Sequence, residues 1–219
     1  MPQPMFDQEA LIAMFQNASS RSGTQLREAA SQATLQALQG RELTLKNIRS
    51  ALKSVSEAAS LGAMQNTRAG VDPEKLLEKA VAGMDDALLK AVDANRAALQ
   101  QFLAQGADLR EKHLKKALDD LDKLEDTMFA ALRKTAQGAG APLAGAWEQV
   151  LGRMQAGGTA SGAQAAATAE QALQQAQATL RAGRTAGLRA AQALAEGYAA
   201  MVSGVLVGMS EALKQGGKR

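Results

Sequence analysis

Apolar residues along this chain recur at intervals of three and four and almost never alternate. Residues 7–18, "DQEALIAMFQNA", place Leu11, Met14, Phe15 and Ala18 at i, i+3, i+4 and i+7, the stripe of a short amphipathic helix. Asp7 stands where an N-cap is wanted. "SSRSG" interrupts the pattern, so residues 1–23 are expected as an N-terminal arm, mobile or docked, carrying one short helix. Two further helices are expected over 24–39 and 44–66, split by "QGREL", with Thr44 as cap and Ile48, Leu52, Val55 and Ala59 on one face.

"VDPEKLLEKA" is a helix start, with Asp72 at the N-cap and Pro73 at the first helical position. That helix should run to about Gln105, with Leu77, Met84, Leu88, Ala91, Leu99 and Phe102 near one stripe. Gly106 ends it, and Asp108 with Glu111 makes a capping box for the next. From there to Ala136, Leu114, Leu121 and Met128, and likewise Ala117, Leu124 and Ala131, step by seven. The two segments are expected to pair as an antiparallel hairpin, 73–136, inside a helical bundle of residues 24–137.

Residues 138–162 read as a Gly-rich linker enclosing a short helix of about 143–156, opened by Pro142 and holding the single Trp. Its last part, "AGGTASG", is expected to be a flexible hinge. Residues 163–219 then form a long Ala- and Gln-rich helix with a basic tail, and Leu173, Leu180, Gly187, Leu194, Met201 and Gly208 sit seven apart. Gly183, Gly187, Gly197, Gly204 and Gly208 each weaken that helix by about 1 kcal/mol relative to Ala, and let another surface come close.

The most apolar stretch lies within this last segment. Between Glu196 and Glu211, fourteen residues carry no charge. A membrane crossing takes about 20 apolar residues, so no transmembrane segment is expected despite the Gly-x-x-x-Gly of "GVLVG". The stretch must be covered instead, by protein or by another apolar surface. Tyr198, Met201, Val202, Val205, Leu206 and Met209, with Leu194 just ahead of them, are the expected contact residues, together with Leu11, Met14 and Phe15.

Composition supports an all-α fold of long amphipathic helices in an elongated bundle or coiled coil. There are 48 Ala and 21 Gln but four Phe, one Trp and one Tyr, and Ala, Leu, Gln, Lys and Glu lose least on entering a helix. An Ala face buries little, about 0.8 kcal/mol per methyl, so thin bundles and a homo-oligomer are expected rather than a thick core. Net charge is +3, and no block is basic enough to compete for nucleic-acid phosphates.

Candidate chemistry is sparse. The chain has no Cys, hence no disulfide frame or thiolate site. His113 is the one histidine, among Glu111, Lys112, Lys116 and Asp119, and cannot supply the paired Glu-x-x-His of a bundle metal site. Lys115–Asp119, Lys116–Asp120 and Asp119–Lys123 are i, i+4 pairs that suit a solvated face. "GAGAPLAG" lacks the Lys-Ser/Thr of a phosphate loop. No enzyme signature, cofactor or metal is expected. "MPQPMFDQEALIAMF" lacks a basic n-region, so no signal peptide is expected, and a cytoplasmic location is expected.

"AEQALQQAQATLRAGRTAGLRAAQALAEGYAAM", residues 169–201, resembles the phasins, small helical proteins that coat bacterial polyhydroxyalkanoate granules. The middle, "ALLKAVDANRAALQQFLAQGADLREKHLKKALDDLDKLEDTMFAAL", resembles a phasin-like family of alanine-rich proteobacterial proteins. The resemblance implies a granule coat, located at the granule surface, adsorbing through weakly apolar helical faces and showing the charged helix 109–134 to water. The alternative is a coiled-coil oligomeric scaffold or adaptor that binds partner helices. A peripheral lipid-binding role is a third reading, for which the tail residues Lys214, Lys218 and Arg219 supply some positive charge.

Overall fold

The computed structural model describes residues 6–18, 22–39, 44–66, 71–104 and 112–181. They form eight helices and no strand: α1 (Gln8–Gln16), α2 (Gly23–Leu38), α3 (Leu45–Met64), α4 (Pro73–Ala104), α5 (Lys112–Asp122), α6 (Leu124–Gly138), α7 (Ala141–Gly157) and α8 (Ala160–Arg181). The all-α expectation holds. The sequence-level caps are in place as well. Asp7 accepts from the Ala10 N–H at 2.9 Å, Thr44 from Asn47 at 3.3 Å, and Asp72 from Glu74 at 3.0 Å. The Asp108–Glu111 capping box lies outside the described residues.

The axis of the bundle is α4. Its 32 residues span about 48 Å at the helical rise, and Leu77, Met84, Leu88, Val92 and Leu99 are buried. It packs most extensively on α2 and α8, and also on α3 and α7. The core is mostly Ala and Leu, with a few larger side chains among them. Trp147 and Phe15 are fully buried, and Phe102 nearly so. Few large side chains are present, and the fold concentrates them in one cluster reaching from Phe6 to Ala165.

Two helix crossings depend on the missing side chain of glycine. At Gly83 in α4 a Cβ would stand 2.2 Å from the Arg27 carbonyl oxygen and 2.8 Å from the Ala30 Cβ of α2. At Gly62 in α3 it would stand 2.4 Å from the Ile12 carbonyl oxygen and 2.6 Å from the Phe15 Cβ of α1. Backbones approach here because nothing projects between them. Arg27 closes the first crossing from outside, with Nε and Nη2 on the Asp86 carboxylate at 2.5 and 2.7 Å. That hydrogen bond and charge hold the guanidinium pKa above its ordinary value.

Three expectations are corrected. The hairpin of 73–105 with 109–136 is not the principal pairing, because α6 packs chiefly on α3 and α8 packs on both α4 and α5. The segment expected as one helix to Ala136 is interrupted at Lys123, between α5 and α6. The Gly-rich linker is largely α7, and the flexible hinge is the last turn of α7, the first turn of α8 and a two-residue link, Gly158–Thr159. Glycine is needed in that link, since Gly158 has φ +69°.

Candidate functional site

The most elaborate polar geometry among the described residues is at the start of α8. The first N–H groups of a helix have no partner inside it. Here they are met by carboxylates from two other helices. Asp85 of α4 accepts from the Ala160 N–H through Oδ2 and from the Ser161 N–H through Oδ1, both at 3.0 Å. Glu125 of α6 accepts through Oε1 from the Thr159 N–H at 2.7 Å and the Thr159 hydroxyl at 2.8 Å. The Thr159 hydroxyl in turn accepts from the Gly162 N–H at 3.0 Å. The carboxylates also lie at the positive end of the helix dipole.

This arrangement leaves no room for an anion at that helix end, because Asp85 and Glu125 already occupy it. Its effect is to set the rotation and direction of α8. Asp85 meets Ala160 and Ser161, and Asp93 meets the Gln164 amide at 3.1 Å, so α8 runs in the same direction as α4. The face turned inward is Ser161, Ala165, Thr168 and Ala172. Leu173, the first residue of the expected heptad seam, is 50% exposed. Leu173 is therefore displaced from the buried stripe by one position.

A second polar feature ties α3, α6 and α7 together. The Trp147 Nε1 donates to the Ser60 hydroxyl at 3.2 Å, and Ser60 donates to the Ser56 carbonyl at 2.8 Å. The Ser56 hydroxyl shares a hydrogen bond with that of Thr135 at 2.8 Å. All four side chains are buried, so the arrangement satisfies the indole N–H and locks three helices. Hydroxyls bonded to a helix carbonyl or an indole have no base beside them here, so the contacts are structural.

The expected contact residues divide into three groups. Leu11 and Phe15 are buried, at 3% and 0%, against α3 in the core of the bundle. Asn66 fastens the end of their helix, its amide donating to the Phe15 and Ala18 carbonyls at 3.0 and 3.2 Å. Met14 is 40% exposed, and Leu61 and Met64 of the adjoining α3 are exposed as well. Leu194, Tyr198, Met201, Val202, Val205, Leu206 and Met209 lie outside the described residues.

The remaining candidates are quickly placed. His113 belongs to α5. The Lys116–Asp120 pair forms at 2.5 Å. Arg153 of α7 reaches Glu74 and Glu78 of α4, the latter at 3.5 Å. A shallow groove of about 520 Å³ lies between α6 and α7, lined by Arg133, Gln137, Glu148 and Leu151 among others. Among the described residues, no group of three or more acidic, His or Cys side chains is placed to hold a metal ion, and no helix is long and apolar enough to cross a membrane.

Asp85, Glu125 and Thr159 were not singled out by periodicity. Thr159 carried the one local signal, a hydroxyl residue ahead of an Ala-rich run. The carboxylates lie 75 and 34 residues away from the groups they cap, and no local rule links them.

Comparison with known proteins returns no match among curated proteins and none among solved structures. Residues 1–215 match one protein family, described as "Family of unknown function (DUF6781)". The match spans nearly the whole chain, from the first helix through the uncharged C-terminal stretch, and the chain belongs to that family.

Proposed function

We propose that this is a non-enzymatic, surface-active protein, phasin-like in role, that adsorbs to polyhydroxyalkanoate granules. The observation that carries the reading is the uncharged stretch 197–210, attached to a helical body with its own core. Fourteen residues without charge are too few to span a bilayer and too apolar to be left in water. Since Leu11 and Phe15 are used inside the bundle and Met14 is exposed, the adsorbing role falls to Met14 and to Leu194, Tyr198, Met201, Val202, Val205, Leu206 and Met209. The resemblance of residues 169–201 to phasins supplies the kind of surface.

The test is co-sedimentation with polyhydroxybutyrate particles and, separately, with phospholipid vesicles, comparing the full chain with one ending at Glu196. Polymer binding by the full chain, weakened by the truncation, is expected. Equal binding by both chains would move the contact surface elsewhere. No binding to either material would remove the granule-coat reading.

One observation favours a second reading, the oligomeric scaffold. Leu173 is half exposed on α8, on the seven-residue series that continues through Leu180, Gly187, Leu194 and Met201. An apolar series of that period suits a partner helix. Under this reading Leu173→Glu lowers the oligomeric state measured by light scattering and leaves polymer binding untouched.

A further inference from the structure

We propose that α8 is a detachable element: it opens from the bundle as a unit about Gly158–Thr159 while α1–α7 stay packed. The inference rests on the α8 interface and is independent of what the C-terminal stretch binds.

Among the described side chains of α8 the inward ones are all small, Ser161, Ala165, Thr168 and Ala172. The buried stripe of α4, by contrast, includes Leu77, Met84, Leu88, Val92, Leu99 and Phe102. An Ala buries one methyl where a Leu buries a whole branched side chain, so the apolar hold along residues 160–175 is small. Two of its four inward side chains work against docking. The Ser161 and Thr168 hydroxyls are buried with no hydrogen-bond partner among the described residues, and in water each would have one.

The first turn of α8 is held by Asp85 on two N–H groups and Glu125 on Thr159, with Asp93 on Gln164 a turn further. Asp85, Glu125, Asp93 and Gln164 are all partly exposed, so water competes for these contacts as α8 lifts. The pivot is supplied by the same link. Gly158 has the backbone freedom of a residue without Cβ, and α7 is anchored independently by Trp147 and by Arg153 on α4. An element held by a few polar tethers and little apolar area belongs to the low-stability end of a fold. Opening uncovers the faces of α4 and α5 against which α8 packs, and shifts the origin of the chain that continues from Arg181.

The test is native-state hydrogen exchange on the full chain at several denaturant concentrations below the unfolding transition. Amides of 164–181 are expected to exchange at least about tenfold faster than those of 76–103, with weaker denaturant dependence. Asp85→Ala and Glu125→Ala should each speed α8 exchange a further ~2- to 30-fold, the range for loss of a helix cap, and leave α4 unchanged. Ser161→Ala with Thr168→Val should slow it, since both remove a partnerless hydroxyl. Equal rates and equal denaturant dependence for α8 and α4 in the unaltered protein would overturn the proposal. So would capping variants that speed both helices alike or unfold the whole bundle.

Discussion

Replacing Gly83 by alanine tests whether close backbone approach, rather than side-chain packing, sets the α2–α4 crossing. Viewed locally the change is favourable: Gly to Ala in a helix interior gains about 0.5–1 kcal/mol. The tertiary contact opposes it. The new Cβ would meet the Arg27 carbonyl oxygen at 2.2 Å, the Ala30 Cβ at 2.8 Å and the Ser31 nitrogen at 3.0 Å. The first of these is more than 1 Å short of ordinary contact, and its partner is helix backbone that no rotamer change can move. Helix α2 has to withdraw, disturbing Leu26 and Ala30 in the core and the Arg27–Asp86 bridge.

Overpacking that shifts backbone costs about 1–3 kcal/mol and occasionally more. After the helical gain, Gly83→Ala should destabilise by about 1–2 kcal/mol, a fall in Tm of roughly 2–8 °C for a chain of this size. The assay is a thermal or urea melt followed by helical circular dichroism, with Gly145→Ala and Gly152→Ala of α7 as internal references. Those glycines are exposed, and a Cβ there meets nothing within 4 Å. Each reference should gain about 0.5–1 kcal/mol. If Gly83→Ala is as stable as the parent, or gains like the references, the close-approach account of the crossing is wrong.

Further consequences follow from the polar contacts. Ser60→Ala should cost about 1–3 kcal/mol in urea denaturation, because it leaves the buried Trp147 N–H unsatisfied; a cost indistinguishable from zero would mean the indole finds another acceptor. Asn66→Ala removes both donors to the Phe15 and Ala18 carbonyls and should loosen α1 by about 1 kcal/mol. Limited proteolysis within residues 19–21 should then accelerate while exchange in α4 stays constant. Arg27→Ala should cost no more than about 1 kcal/mol, since the Arg27 side chain is 50% exposed and salt screens such pairs; a larger loss would assign the bridge a part in the crossing that its exposure denies. The truncation at Glu196 should leave the bundle's Tm within a few degrees of the parent, provided residues 6–181 form their own core.

Much of the local structure was legible. Asp7, Thr44, Asp72 and Pro73 mark helix starts through contacts spanning two or three residues, and the helices begin where those residues stand. The partners of the helices were not legible. The heptad steps at Leu121, Met128, Ala117, Leu124 and Ala131 correctly marked a buried face, but a buried face does not name what buries it. Pairing 73–105 with 109–136 assumed that neighbours in sequence are neighbours in space. In the fold α8 occupies part of that position instead, docked on α4 and α5.

The same limit applied to "AGGTASG". Small and glycine residues suggest a hinge, and the local pattern is indeed that of a weak helix start. The carboxylates of Asp85 and Glu125 make it an ordered turn. They also choose which face of α8 turns inward, which is why Leu173 stands outside while Ala165 and Ala172 lie inside.

The sequence by itself determined the all-α class, the starts of α1, α3 and α4, the uncharged character of residues 197–210 and the shortage of large apolar side chains. These depend on propensities, caps and composition, which act over a few residues. Only the tertiary structure decided that Gly62 and Gly83 are crossing points, that Ser60 serves Trp147, and that Leu11 and Phe15 are core. Each of those outcomes joins groups tens of residues apart. It depends on which faces can approach most closely and still satisfy every buried donor, a condition that no single helix contains.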